Sequence, residues 1–240
     1  MPPSATELLD IQRSALFIED ANQKLRYIRE PGYDESELYP APRFFMSRTA
    51  SRNAWSFRYD VPHDICEVIE RLCLNEPIVT DFCTPYRHMN DIREILSGHT
   101  PISDEWRGPA YWIPEQTDLS EHAVLITESN AHFLETYFPW KITSRANFKT
   151  SPLVATIIND VAVSICYCAR ITKFAAEAGV ETVKDFRGEG RAGQAVAKWA
   201  EIVRRKGIMP LYSTSWENVA SQRVANKLKL TLYGENWHIT

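Results

Sequence analysis

The chain is poor in the features that mark a specialised environment. No apolar run approaches the length of a membrane-spanning helix. Neither sign of charge dominates: 27 Lys and Arg against 31 Asp and Glu leave a net charge of −4, which speaks against general binding to nucleic acid or anionic membranes. The cysteines number five, an odd count in no regular framework, and none pairs with a histidine at zinc spacing. The six histidines are scattered, and there is no internal repeat or low-complexity tract. Met1-Pro2-Pro3-Ser4 carries neither the basic nor the apolar stretch of a secretory signal. The expectation is a cytoplasmic protein with reduced thiols, no metal, and no nucleic-acid or membrane partner. At 240 residues it can bury a sizeable core as one large or two modest domains.

What is present concentrates between Phe186 and Ser221. Arg187-Gly188-Glu189-Gly190-Arg191-Ala192-Gly193 stands where a strand hands over to a helix. With no side chain at Gly188 and Gly190, successive backbone N–H groups can converge on an anion, helped by the helix N-terminus. A pyrophosphate suits such a loop. The same residues spell G-x-G-x-x-G, the dinucleotide fingerprint, with Glu217 downstream as a ribose partner. Context disfavours that alternative, because Lys184-Asp185-Phe186-Arg187 separate the strand from the first glycine. Only 47 residues follow Gly193, too few for the remaining strands unless the sheet is completed from upstream.

Periodicity orders the surrounding elements. Val163, Ile165, Tyr167 and Ala169 alternate with Ser164, Cys166, Cys168 and Arg170, a strand that forms a hairpin with Ser151 to Ile158 through Asn159-Asp160. Ala175 to Val183 is the next strand. Val196, Trp199, Ala200 and Val203 mark an amphipathic helix ending at Gly207, followed by a strand over Met209 to Ser213. Asn218 is a natural N-cap for a last helix, and Leu230 to His238 supplies closing strand material. Upstream, hairpins are expected around Asp20 to Lys24 and through Ser51-Arg52-Asn53, with helices at Asp64 to Leu74 and Met89 to Leu96. The arginines 43, 48, 52 and 58 among aromatics are expected to face solvent on a half-buried hairpin. Gly108-Pro109 reads as punctuation.

Arg187 to Ala192 resembles the Q/R-x-x-G-x-G/A acyl-CoA loop of the GNAT superfamily of N-acetyltransferases. Asn218-Val219-Ala220-Ser221, with Val224-Ala225-Asn226-Lys227-Leu228, is similar to the N-x-x-S segment of that superfamily's ribosomal-protein-acetylating branch. The resemblance covers residues 121–240. It implies an α/β (α+β) fold, a GNAT-like mixed sheet with splayed central strands flanked by helices, preceded by an α+β region over residues 1–120. It further implies acetyl transfer from acetyl-CoA to a small-molecule or protein amine, by direct attack in a ternary complex. A non-catalytic acyl-CoA-binding module is the alternative.

Residue by residue, the resemblance assigns the pantetheine arm to the strand around Val180 and Thr182. The pyrophosphate falls to Arg187, Gly188, Glu189, Gly190, Arg191, Ala192 and Gly193, with Asn218 and Ser221 also at the cofactor. Glu177 is the candidate base, one residue offset from the usual position, and Glu181 shares its strand parity. Many relatives protonate the departing thiolate with a tyrosine on the last helix. Ala225 stands there, so Ser221 is the candidate acid. Lys229 replaces a glycine common before the final strand. His122 and His132 fall near the presumed acceptor side.

Overall fold

A computed structural model describes residues 2–115, 123–144 and 147–240. Ser4 starts helix α1 (Ala5–Leu16) with a reciprocal capping box: the Glu7 N–H donates to its hydroxyl at 3.3 Å, and its own N–H donates to the Glu7 carboxylate at 2.8 Å. The hairpin β1 (Phe17–Glu19) and β2 (Leu25–Ile28) stands apart as a two-stranded sheet. There follow β3 (Phe44–Arg48), β4 (Asn53–Phe57), α2 (His63–Leu74), α3 (Met89–His99), β5 (Glu105–Trp112) and β6 (Ala123–Leu125). A 3-10 turn (Ala131–Leu134) and the single-turn α4 (Pro139–Ile142) lead to β7 (Leu153–Ile158), β8 (Val161–Ile171) and β9 (Ala175–Thr182). The chain ends with α5 (Arg191–Arg205), β10 (Met209–Ser213), α6 (Val219–Lys227) and β11 (Thr231–Ile239).

Among the described residues, nine strands make one mixed sheet in the order β4-β3-β11-β5-β10-β9-β8-β7-β6, antiparallel except between β9 and β10. One face carries α5 and α6 over Tyr111, Cys166, Cys168, Ala176 and Tyr212, and α2 and α3 over Phe44, Met46 and Trp237. The other face carries α1 over Ala110, Ala175 and Leu211, with the 131–142 segment beside it over Ile165 and Tyr167. The fold class is therefore the expected mixed α/β sheet flanked by helices. No helix among the described residues is long and apolar enough to cross a membrane. The expected boundary near residue 120 falls within 116–122, outside the described residues. Strands from both sides of it interleave, with β5 hydrogen-bonded between β10 and β11.

Two departures from the sequence reading have clear physical causes. Gly108-Pro109 is not punctuation but the middle of β5. The Thr214 backbone carbonyl lies where a Gly108 side chain would be, so only glycine fits, and the Pro109 carbonyl accepts the Thr214 N–H at 3.3 Å. Nor are all the hairpin arginines in solvent: Arg43 and Arg48 are buried. Arg43 donates to the Leu96 carbonyl at 3.0 Å and the Pro101 carbonyl at 3.3 Å. Arg48 lies 2.7 Å from the Glu235 carboxylate and donates to the Phe82 carbonyl at 3.1 Å. Loop carbonyls and a carboxylate supply acceptors in place of water, while Arg48 Nε and Nη1 find no hydrogen-bond partner and the guanidinium lies over the Tyr86 ring.

Candidate functional site

β9 and β10 share three register pairs, Ala175 with Met209, Ala176 with Pro210 and Glu177 with Leu211. Beyond Glu177, β9 runs on to Thr182 in register with β8, while β10 keeps to β5. Among the described residues, the edge of β9 from Ala178 to Thr182 has no ladder partner on the β10 side. Parallel strands that part in this way leave a wedge lined by unspent backbone donors and acceptors. Val180 packs its side chain toward α5 and Thr182 meets Ser164 hydroxyl to hydroxyl at 2.7 Å, so both are held from outside the wedge.

The glycine loop closes the open end. Gly188 and Gly190 have φ of 82° and 84°, a left-handed backbone that side chains resist. Gly190 is the N-cap of α5 and offers no side-chain cap, so the first N–H groups of a four-turn helix face outward uncapped. A side chain at Gly188 would meet nothing within 4 Å, whereas one at Gly190 would stand 2.7 Å from Lys227 Nζ. An exposed lysine from α6 thus adds charge to the loop. Arg187 donates from Nε to the Thr182 carbonyl at 3.1 Å, which pins the loop to the end of β9. Arg191 reaches Glu189 at 3.3 Å, and its carbonyl accepts from Thr156 at 3.1 Å. Ala192 and Gly193 form the first turn of α5, where Gly193 sits in ordinary contact range of Leu228. Uncapped amides, a nearby ammonium and open space above Gly188 fit a pyrophosphate.

Glu177 sits at the vertex, 3% exposed, with its side chain on the α1 face. Gln12 of α1 donates to one of its oxygens, and Ser213 donates to the other at 3.4 Å. The Gln12 amide cannot turn round: its oxygen accepts from the Tyr233 hydroxyl at 2.5 Å and from Asn236 Nδ2 at 2.9 Å. Burial raises the Glu177 carboxyl to about 7, against the opposing pull of Gln12, Arg170 and Ser213. No bulge interrupts β9 between Glu177 and Glu181, so both face α1; the irregularity lies in β8, between Cys168 and Arg170. Glu181 is 3.7 Å from Lys141 Nζ, which also lies 3.1 Å from the centre of the Tyr167 ring.

Ser221 lies on the first turn of α6, where its N–H donates to the capping Asn218 side chain at 3.0 Å. Asn218 therefore serves the helix start. The Ser221 hydroxyl is 2.6 Å from that of Tyr212, a buried residue of β10 one position past the vertex pair. Burial pushes the Tyr212 phenol up to about 12, with Ser221 pulling it down. A phenol thus stands beside Ser221, although Ala225 carries none. Ala225 is buried and packs in the same cluster as Tyr212.

The side chains of this site that escaped the sequence reading as contributors include Gln12, Tyr212 and Lys227. Gln12 lies 165 positions from Glu177, so only the tertiary fold joins them. Tyr212 was placed on a strand with nothing to set it apart, and Lys227 was read as part of a motif without a role. His132 is exposed and packs on Phe133, and His122 lies outside the described residues.

On the α1 face a cleft of about 450 Å³ opens beside the vertex. Glu30, Trp140, Lys141, Tyr167 and Arg170 are among its lining; Glu177 is not, and adjoins it through its cross-strand neighbour Arg170.

No protein-family model and no curated protein matches the chain. Its solved structural likenesses include a GCN5-related N-acetyltransferase-like protein from Streptococcus suis, 15% identical over 99% of this chain and 100% of that one, TM-score 0.49. A GCN5-related N-acetyltransferase from Kribbella flavida is 13% identical over 100% and 95%, TM-score 0.48. A shorter match, to a GNAT-family protein from Novosphingobium aromaticivorans, is 13% identical over 57% of this chain and 65% of that one, TM-score 0.46. At such identities the likeness is one of fold.

Proposed function

We propose that this chain is an acyl-CoA-dependent N-acetyltransferase that moves an acetyl group from acetyl-CoA to an amine by direct attack in a ternary complex. The wedge between β9 and β10, closed at its open end by the uncapped N-terminus of α5, carries this reading. A pantetheine arm is a chain of amides, and the unpaired edge of Ala178 to Thr182 offers it strand-like hydrogen bonds. The loop from Gly188 to Gly193 with Lys227 takes the pyrophosphate. A dinucleotide would need the first glycine directly on the strand end, but a 3-10 turn over Lys184–Phe186 intervenes.

Bound there, acetyl-CoA supplies an activated acyl carbon and a thiolate leaving group. Glu177 at the vertex takes the proton from the attacking ammonium. A carboxyl raised to about 7 binds that proton far better than an ordinary carboxylate and is still half ionised near neutrality. As the amine nitrogen bonds to the acyl carbon, the carbon–sulfur bond breaks. Ser221, its hydroxyl bonded to that of Tyr212, donates its proton to the sulfur, and the second proton that the nitrogen sheds as the amide forms makes good the one given up. A coenzyme thiolate, with a reference thiol pKa near 8.5, is a weak base, so this donation contributes less than the base does.

Thermal stability with acetyl-CoA, CoA and NAD in parallel tests the cofactor. A ligand at about 100 times its Kd adds about 2.7 kcal/mol, several degrees in a chain of this size. A rise with acetyl-CoA and CoA and none with NAD is expected; a rise with NAD alone would sink the proposal. Glu177→Gln should then lower kcat by about two to four orders of magnitude with acetyl-CoA affinity retained. Ser221→Ala and Tyr212→Phe should each cost about tenfold or less. Retained turnover in Glu177→Gln would remove Glu177 as the base, and binding without any turnover would favour a non-catalytic acyl-CoA module.

A further inference from the structure

The cleft beside the vertex has an unusual charge arrangement. Arg170 and Glu177 are direct register partners across β8 and β9. Cross-strand partners of this kind hold their Cβ atoms roughly 5 Å apart. Yet Glu177 gives its oxygens to Gln12 and Ser213, not to Arg170. The Arg170 NH1 donates to the adjacent Ala169 carbonyl at 2.5 Å, and among the described residues the guanidinium forms no ion pair. Glu30 and Glu177 favour its charge only from a distance, against the burial that opposes it. Lys141, the other cation of the cleft among the described residues, is already engaged by Glu181 and the Tyr167 ring. Arg170 is therefore a half-buried fork of donors lining a cleft, with most of its hydrogen-bonding capacity unused.

A guanidinium is shaped to take a carboxylate through two parallel hydrogen bonds. An amine whose own carbon carries a carboxylate has two groups to offer to two neighbouring residues, and Arg170 and Glu177 are neighbours across β8 and β9. A polyamine or a simple alkylamine would place nothing on the guanidinium, and a protein N-terminus has an amide in the carboxylate's place. Trp140, Phe148 and Tyr167 supply apolar walls for a side chain. Resting on the transferase reading, we infer that the acceptor is a free α-amino acid, its carboxylate held by Arg170 and its amine directed to Glu177.

Steady-state acetylation of a panel of α-amino acids, each beside its decarboxylated amine, tests this. The wild-type enzyme should favour the amino acid of at least one pair through a lower KM. Arg170→Gln should raise that KM by about ten- to a hundredfold while leaving the KM for the matching amine unchanged. Arg170→Lys, which keeps the charge but loses the fork, should fall between. Calorimetry with acetyl-CoA should give the same Kd for all three proteins, which separates acceptor recognition from a folding or cofactor defect. Equal or better use of the decarboxylated amines by wild type, or equal KM changes for both acceptors in Arg170→Gln, overturns this inference alone. A wild-type protein that binds no acetyl-CoA overturns the transferase reading and this inference with it.

Discussion

Glu177 combines two demands that oppose each other. Its burial lifts the carboxyl from 4.5 to about 7, so the folded state keeps the proton longer than the unfolded chain. Below pH 4.5 both states are protonated and the residue costs nothing. As pH rises from 4.5 through 7 the unfolded state loses its proton first, and stability falls by about 3 kcal/mol before levelling off. Glutamine has no such loss. Denaturant unfolding should therefore show Glu177→Gln gaining about 3 kcal/mol on wild type between pH 4.5 and pH 8. In the same window the kcat/KM of wild type should rise with pH through about 7, because the base must be ionised to work, and the variant should lose that limb. A flat difference in stability across this range would mean that Glu177 is solvated. Lys229 tests strain at the same scale. It holds φ of 51° where glycine would be free, so Lys229→Gly should stabilise by about 0.5–1 kcal/mol in the same assay.

At the scale of elements, the join between β9 and α5 is where the proposed cofactor binding can be tested. Gly188→Ala and Gly190→Ala both place a side chain at positive φ and should each cost about 1–2 kcal/mol. They should part in calorimetry, because only the Gly190 methyl group would displace the Lys227 ammonium. A larger loss of acetyl-CoA affinity for Gly190→Ala than for Gly188→Ala is the expected result. Lys227→Ala should weaken that affinity with stability unchanged, and an unchanged Kd would exclude Lys227 from the phosphate site. The elements at this join were legible in sequence because their signals are local: a two-residue period, a glycine run, then an i, i+3, i+4 stripe. The hairpin between β7 and β8 was legible for the same reason, since Asn159 and Asp160 tolerate the φ of 48° and 60° that it requires. Helix α1 and strand β5 were not. The α1 face buries Gln12 beside Leu8 and Leu9, which blurs its apolar stripe, and β5 carries a glycine and a proline that only its neighbours explain.

Across the whole molecule, the last strand binds the two halves of the chain. Glu235 of β11 is fully buried between Arg48 of β3 and Arg107 of β5, with Trp216 donating to it at 2.5 Å. Burial raises its carboxyl, against the pull of Trp216 and both arginines. Removing one member leaves a buried charge without its partner, so Arg48→Met should destabilise the chain by about 3–5 kcal/mol. Both halves should lose that stability together, seen as one cooperative unfolding transition. Independent melting of residues 1–115 would contradict a shared sheet. The proposed catalytic arrangement depends on this union, because β11 also supplies the Tyr233 and Asn236 groups that orient Gln12 toward Glu177.

The sequence by itself determined the glycine loop, the strand and helix it joins and the cap at Asn218. Each is specified by residues within a few positions of one another, where backbone sterics and periodicity act directly. The tertiary structure decided what those residues meet. It set Gln12 against Glu177, Tyr212 against Ser221, Lys227 against Gly190 and Arg170 in the lining of the cleft. These pairings join strands and helices far apart in the chain, through a sheet whose order interleaves both halves. Such contacts arise only when burial forces distant polar groups to find one another, and no local pattern records which partner each will find.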